Sequence, residues 1–263
     1  MRSLNSRAFL ASLALGMLAA CGGTSAQDQV VVAEEQVAKP KLGLFTTLPI
    51  YWGEGGDIAS ILDGESKPDW VRTELETKFE IIPLDTLEAE ALEGLDRVLL
   101  AQPRPLAPSE NVAFDSFIAS GNHALIIADP MLTRHSEYAI GDRRRPQEVV
   151  LLSPILQRFG AELVFDESQD EGERIVTSGG FDFPVNMAGQ FRAIDTDAKS
   201  ACLIEDATGL LARCNRGAGF AYLYADAAIL DWEGDEPVPQ ARKDALWGIL
   251  MPLETKGGAE VQP

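Results

Sequence analysis

The sequence predicts a three-layer α/β domain built on a mainly parallel sheet. Short apolar runs alternate with amphipathic stretches of helical spacing along much of residues 41–253, the pattern that βαβ units produce. Two runs, residues 97–101 (RVLLA) and 124–128 (ALIIA), are apolar throughout or nearly so. Such runs are expected of strands that helices cover on both faces. We therefore expect helices on both sides of the sheet.

The predicted elements follow one another in a regular order. Strands are expected at residues 41–46, 80–84, 97–101, 124–128, 162–165 and 220–225, and helices at 68–79, 87–95, 109–119, 150–159 and 240–251. Ser109 is placed to cap the third helix, which Gly121 ends, and Gly160 ends the fourth. Short strands near 174–178, 190–195, 200–205 and 210–214 predict a β-rich antiparallel insertion over about 170–216.

The first twenty residues predict export and lipid anchoring. Arg2 and Arg7 precede an apolar run at 9–18 that is too short to span a bilayer, and Leu18-Ala19-Ala20-Cys21 resembles a lipobox. We expect cleavage before Cys21 and acylation of its thiol; a plain signal peptide with an incidental Cys21 is the alternative. The expected location is the periplasmic side of the cell envelope, and Gly22 after the anchor favours the outer membrane.

The remaining organisation is a tether, one domain and a tail. Residues 21–40 are small, polar and repetitive and predict a flexible tether, residues 41–253 a single domain, and residues 254–263 a disordered tail. The formal net charge of -19 argues against nucleic acid as a partner and against a protein body that lies on anionic lipid. The membrane is therefore expected as a partner only through the anchor at Cys21.

Cys202 and Cys214 predict a disulfide. They flank Ala207-Thr208-Gly209, which suits a hairpin tip, and counting outward from Thr208 places the two cysteines opposite each other. In an oxidising compartment such a pair is expected to be bonded. A metal pair or a redox site is the alternative, although CxxC spacing is absent.

Several segments resemble one known family in the same order along the chain. They are Val98–Pro103, Leu106–Glu110, Phe117–Asn122, Ala124–Pro130, Leu156–Gly160 and Gly219–Asp226. Together they are similar to the periplasmic domain of the auxiliary component of gliding-motility-type ABC transporters. The resemblance covers under half of the chain and implies a fold like flavodoxins and class I glutamine amidotransferases, without catalysis. Unlike the usual members, the chain has Asn122-His123 where the family tends to have Gly-Lys, and shows no transmembrane run beyond the signal.

No catalytic constellation is visible in the sequence. Gln102-Pro103-Arg104 stands where an amidotransferase-like fold would carry its Cys nucleophile, and neither G-x-S-x-G nor a P-loop or dinucleotide fingerprint occurs. We therefore expect no enzyme activity, no cofactor and no metal. His123 is expected to be a packed or surface residue. His135, with Glu137 and Asp142, is a weak metal candidate because the three lack the spacing of a known site.

A ligand or partner face is expected where the strands end, because ligands of open α/β sheets bind beyond the carboxyl ends of the strands. The candidate residues are Thr46, Thr47, Tyr51, Trp52, Gln102, Arg104, Asp129, Met131, Arg143, Arg144, Arg145 and Asp226. The three arginines could bind an anion or an acidic partner, or they could simply neutralise neighbours such as Asp142 and Glu148. Tyr51 and Trp52 could offer stacking surface or belong to the core.

Three functional hypotheses follow. The leading one is a non-catalytic binding or accessory lipoprotein of an ABC-type transport system, with transporter subunits or other envelope proteins as partners. The second is a hydrolase-like enzyme that uses Asp129, Asp226 and His135 on a small or sugar substrate. The third is a structural envelope scaffold, which predicts a flat surface without a ligand-sized pocket.

Overall fold

The computed structural model describes residues 38–53, 68–196, 200–232 and 236–254. The predicted signal peptide, Cys21, almost all of the tether and nearly all of the tail lie outside these residues. The described strands are Lys41–Thr46 (β1), Glu80–Pro83 (β2), Arg97–Ala101 (β3), His123–Ile127 (β4), Ala161–Val164 (β5), Arg174–Ser178 (β6), Phe181–Val185 (β7), Gln190–Ala193 (β8), Ser200–Ile204 (β9), Leu211–Arg216 (β10) and Gly219–Tyr224 (β11). The helices are Trp70–Lys78 (α1), Ala89–Leu92 (α2), Pro108–Ala119 (α3), Ser153–Phe159 (α4) and Gln240–Glu254 (α5), with a 3₁₀ turn at Ala228–Leu230.

A seven-stranded sheet forms the centre of the molecule, in the order β2-β1-β3-β4-β11-β10-β9. The first five strands of this order run parallel, and β10 and β9 add an antiparallel edge. Every residue of β3 and β4 is buried, as their apolar sequences predict. The predicted α/β fold with a mainly parallel sheet is confirmed.

The helices form two groups that cover the sheet. In the first group, α1 and α5 are joined by the ion pair of Lys78 with Glu254 and by the stacked rings of Phe79 and Trp247. In the second group, a terminal guanidinium nitrogen of Arg158 on α4 donates a hydrogen bond to the carboxylate of Asp115 on α3, at 2.6 Å. The apolar faces of both groups are buried against the strands, which accounts for the periodic apolar residues in the sequence.

The β-rich stretch predicted for residues 170–216 is present, but its strands divide among three sheets. β6 pairs with β7 and β5 with β8, whereas β9 and β10 join the central sheet. A tight connection at Gly217 and Ala218 carries β10 directly into β11. Gly219 has no room for a side chain, since a Cβ there would lie 2.1 Å from the carbonyl oxygen of Asn122. The prediction that β5 follows the parallel pattern is wrong, and β7 was not predicted.

Two predicted helix starts are wrong, whereas two predicted helix ends are confirmed, the first being that of α3, which stops at Ala119 before Gly121 with its φ of 109°. The cap of α3 is Ala107 rather than Ser109, because the carboxylate of Glu110 accepts the Ala107 backbone N–H at 2.7 Å. α4 begins at Ser153 rather than 150, because Pro154 has no N–H and is tolerated only in the first turn of a helix. The Val150 N–H donates instead to the Asp129 carbonyl oxygen in the preceding loop. Gly160 ends α4 with a φ of 89°, as predicted.

Candidate functional site

Gln102 lies directly after β3 in a backbone conformation that is unusual for a residue with a side chain. Its φ is 43°, and its side chain is fully buried. Its Oε1 accepts the Asp129 N–H at 2.8 Å, and its Nε2 donates to the carbonyl oxygens of Asp129 and Gln147 at 3.0 and 2.7 Å. The residue at the expected nucleophile position is therefore a bridge between β3, β4 and the following loop.

Thr47 extends this bridge to β1. Its hydroxyl donates to the Gln102 carbonyl oxygen at 2.5 Å and accepts the Gln147 N–H at 3.0 Å. The neighbouring Thr46 hydroxyl accepts the Leu48 N–H at 2.9 Å and closes the turn after the strand. The ends of three strands and the loop at 147 are thus held together by side-chain hydrogen bonds, in which both predicted threonines take part.

Two buried carboxylates fix the loops after β4 and β11. Asp129 accepts the N–H groups of Met131 and Ala227, at 2.8 and 3.0 Å. Asp226 accepts those of Asn186 and Ala228, at 2.8 and 2.6 Å. Both residues are essentially inaccessible to solvent. The two aspartates therefore anchor backbone in this structure.

The low-dielectric surroundings change the acidity of this pair. Burial raises the pKa of Asp129 to about 6, partly offset by its backbone hydrogen bonds. Burial and the charge of Asp129 together raise the pKa of Asp226 well above its usual range. Tyr224 lies beneath them, and burial raises the pKa of its phenol further above the ordinary value. The pair is therefore expected to hold a proton well above the pH at which exposed aspartates are ionised.

An apolar groove of about 530 Å³ opens beside these loops. Its walls come from the loop after β4, from α4 and the segment before it, and from the ends of β5 and β7; they include Met131, Val149, Leu156, Leu163, Phe165 and Met187. Glu167 and Ser153 add polar atoms to the lining. This volume lies in the range of small-molecule sites.

A second depression, of about 410 Å³, lies next to the first and is lined mainly by polar side chains. Arg134, His135, Arg145 and Glu171 line it, and it shares Met131 and Met187 with the apolar groove. Met187 has a φ of 61°, which is strained for a side-chain-bearing residue. Met131 is among the residues predicted from the sequence, whereas Met187 and Leu163 are not, and no pattern around these two signals a site.

The predicted arginine cluster divides once the structure is considered. Arg144 pairs with Asp142 at 2.7 Å and stacks on Tyr138, outside both depressions. Arg145 pairs with Glu148 and lines the polar depression, and Arg143 is exposed. The neutralising interpretation therefore holds for Arg144, whereas Arg145 combines an ion pair with a place in the site.

Other candidate residues have structural partners. Arg104 binds the buried Glu110 through both terminal nitrogens, at 2.8 and 2.7 Å. Tyr51 lies under Arg72, whereas the indole of Trp52 is 62% exposed and packs edge-on against Tyr51. The alternative that this aromatic pair belongs to the hydrophobic core is therefore wrong for Trp52.

The histidines play no part in a metal site among the described residues. His123 is buried and stacks on Phe220 with ring centroids 4.1 Å apart, as a packed residue would. His135 is exposed at the polar depression. Within the described parts of the chain, no group of three or more His, Cys, Asp or Glu side chains is positioned to hold a metal ion, and no helix is long and apolar enough to cross a membrane.

Comparison with known proteins gives fold-level likenesses only. No protein-family model matches the chain, and no curated protein matches it. Among solved structures, it resembles an exo-β-1,4-mannosidase from Opitutaceae bacterium strain TAV5, with 13% identity and a TM-score of 0.42 over 83% of this chain and 34% of the mannosidase. The chain therefore spans about a third of that enzyme's length.

Two smaller structures are covered more fully. The cytoplasmic protein STM3548 from Salmonella typhimurium is 12% identical with a TM-score of 0.43, over 81% of this chain and 98% of its own. A ThuA-like protein from Bacteroides uniformis is 10% identical with a TM-score of 0.41, over 81% and 93%. At these levels of similarity the comparisons carry no argument about function.

Proposed function

We propose that the protein is a non-catalytic binding lipoprotein on the periplasmic side of the cell envelope and an accessory component of an ABC-type transport system. The observation that carries the proposal is the apolar groove at the carboxyl end of β4, which is of ligand size and whose described lining contains the Ser153 hydroxyl and the Glu167 carboxylate but neither a cysteine nor a histidine. Lipid anchoring at Cys21 and the transporter role rest on the sequence resemblances.

The buried aspartates argue against the hydrolase alternative. A general acid or base must reach the proton that it transfers. The four carboxylate oxygens of Asp129 and Asp226 instead accept backbone N–H groups, and neither residue lines either depression. His135 at the polar depression therefore lacks the acidic partners that the hydrolase hypothesis assigned to it.

The groove also argues against a purely structural scaffold. That hypothesis predicts a flat surface, whereas the segment after β4 forms a concave surface with exposed apolar side chains at Met131 and Val149. Exposed apolar surface around a concavity is typical of sites that bind a ligand or a partner.

The proposal is tested by crosslinking in membranes, followed by identification of the captured proteins. The wild type should recover a permease or an ATP-binding subunit of one transporter. Met131→Glu should lose it, because the substitution places a charge at the shared wall of the two depressions. Met251→Glu is the matched control, since Met251 is similarly exposed on α5, at 47% against 43% for Met131.

The same experiment includes Cys21→Ser. This variant should leave the membrane fraction and recover no transporter subunit, because the lipid anchor that is expected to hold the protein at the membrane is lost. Capture of no transporter subunit by the wild type, or equal capture by Met131→Glu and Met251→Glu, would overturn the accessory role at this groove.

A further inference from the structure

The two depressions lie side by side, and we treat them as the apolar half and the polar half of one candidate site. Met131 and Met187 stand between them and line both. On one side the walls are almost entirely aliphatic and aromatic, and on the other two arginines and a histidine are present. A molecule that fills both halves must have an apolar part and a polar part.

The polar half presents two guanidinium groups, Arg134 and Arg145, to a ligand. Each is also paired with a carboxylate, Arg145 with Glu148 and Arg134 with Asp231. An anion would therefore be attracted by the remaining guanidinium N–H donors rather than by an excess of positive charge. Glu171 also lines the depression and opposes this effect, so the position of the arginines matters.

Both arginines of the polar half are held in place by other groups. Arg145 donates from Nε to Glu148 at 2.7 Å and from a terminal nitrogen to the Tyr138 carbonyl oxygen at 2.6 Å, and its side chain is 24% exposed. Arg134 lies 3.7 Å from Asp231, and its side chain is 11% exposed. A guanidinium that is fixed in advance loses less conformational freedom when it binds an anion.

The two shared methionines suit an aliphatic chain. Methionine side chains are flexible and polarisable and adapt to apolar ligands of irregular shape. Their backbone is nevertheless fixed, since Asp129 holds the N–H of Met131 and Asp226 holds the N–H of Asn186, next to Met187. The wall between the halves therefore combines a rigid frame with adaptable side chains.

We infer that the site binds an amphipathic anion, with its hydrocarbon chain in the apolar groove and its carboxylate or phosphate group beside Arg145 and Arg134. The inference rests on the proposed binding function and names its ligand class. A fatty acid and a lysophospholipid share this chemistry, and their head groups can be compared separately.

The test is a calorimetric titration of the mature chain, residues 21–263, carrying Cys21→Ser so that anchor lipids do not compete. The probes are decanoate, monodecyl phosphate, decanol and decyltrimethylammonium, below the concentrations at which they form micelles. At least one anion should bind about tenfold more tightly than decanol and more tightly still than the cation. Shortening the chain of the better anion by two methylenes should weaken its binding about fifteenfold, because each buried methylene contributes roughly fourfold to the affinity.

Matched variants locate the two halves. In Arg145→Gln, the affinity for the better anion should fall to within about threefold of the affinity for decanol. Arg144 lies outside the site, so Arg144→Gln should still bind the anion about tenfold more tightly than decanol. Met131→Glu should weaken the binding of every probe, whereas Met251→Glu should not change the binding of any probe. Unchanged decanol binding by Arg145→Gln would show that the variant is folded.

Equal binding of the four probes by the wild type, or binding of none, would overturn the inference. If the wild type nevertheless captures a transporter subunit and Met131→Glu does not, the accessory function stands and only the ligand class is wrong. If the anion binds but no subunit is captured, the ligand class stands and the transporter role is wrong.

Discussion

Asp129 and Asp226 follow adjacent parallel strands, and the negative charge of Asp129 raises the pKa of Asp226. Each carboxylate accepts two backbone N–H groups, which fix the loops on either side of the site. Other ionisable groups lie around the pair: Arg174 lowers the pKa of Asp226, and Tyr224, Arg242 and Glu173 lie nearby. The buried acidic pair therefore lies at the carboxyl ends of two central strands, next to the candidate site.

This pair should make the protein less stable as the pH rises from 5 to 7.5. The pKa of Asp129 is about 6 in the folded state against 3.8 for an exposed aspartate, so the folded state holds more protons between these values. The contribution of Asp129 to stability is therefore greatest below pH 4 and is lost as the pH rises through about 6, by on the order of 3 kcal/mol in all. Urea unfolding followed by circular dichroism at several pH values measures this loss.

The variant Asp226→Asn should reduce the pH dependence. The variant removes the carboxyl group whose pKa is raised well above its usual range, so the folded state no longer holds that proton and the unfolding midpoint changes less between pH 5 and 7.5. Asp170→Asn removes an exposed carboxylate and should keep the wild-type slope. Equal slopes for Asp226→Asn and the wild type would contradict the raised pKa of Asp226.

The bridge made by Gln102 should be sensitive to both its side chain and its backbone. Gln102→Ala removes three hydrogen bonds and leaves buried backbone groups without them, at a cost of about 3 kcal/mol. Gln102→Gly loses the same bonds but relieves the left-handed conformation, and should be about 1 kcal/mol more stable than the alanine variant. Urea midpoints at pH 7 compare the two, and the reverse order would argue against backbone strain at Gln102.

Glu110→Gln should destabilise the protein by about 2 kcal/mol at pH 7, because Glu110 binds Arg104 and two backbone N–H groups. The Arg104 hydrogen bond lowers the pKa of Glu110 to about 2 from 4.5. Its stabilisation is therefore present above pH 4.5 and is lost as the pH falls towards 2. The difference in the free energy of unfolding between the wild type and Glu110→Gln, measured with urea, should become smaller at pH 3. Glu90 is exposed, so Glu90→Gln should be as stable as the wild type at each pH.

The disulfide between Cys202 and Cys214 should stabilise the domain by about 3 kcal/mol, because it closes a loop with a sequence separation of 12. The double variant with Cys202→Ser and Cys214→Ser should unfold at a lower urea concentration. Reductant should lower the midpoint of the wild type to a similar value and leave the double variant unchanged. A wild-type midpoint that does not respond to complete reduction would refute this role.

The pairing of the two cysteines could be predicted because it depends on a local hairpin. Cys202 lies opposite Cys214 in the β9–β10 register, as counting from the turn indicates. The sheet to which the hairpin belongs was not predictable in the same way. β10 buries Leu211, Ala212 and Cys214 and pairs with β11 on its other side, and this neighbour is chosen by packing rather than by the turn.

The sequence by itself determined the α/β class, the buried strands β3 and β4 and the disulfide, because these depend on apolar runs and turn spacing within short segments. It also directed attention to the carboxyl ends of the strands, where Gln102, Asp129 and Asp226 do lie. Only the tertiary structure decided their roles. It buries both carboxylates under backbone N–H groups and brings Met187 beside Met131, 56 positions earlier in the chain. Such contacts form when segments that are distant in the sequence pack against the same apolar surface. A local sequence pattern does not show which distant segments will pack together.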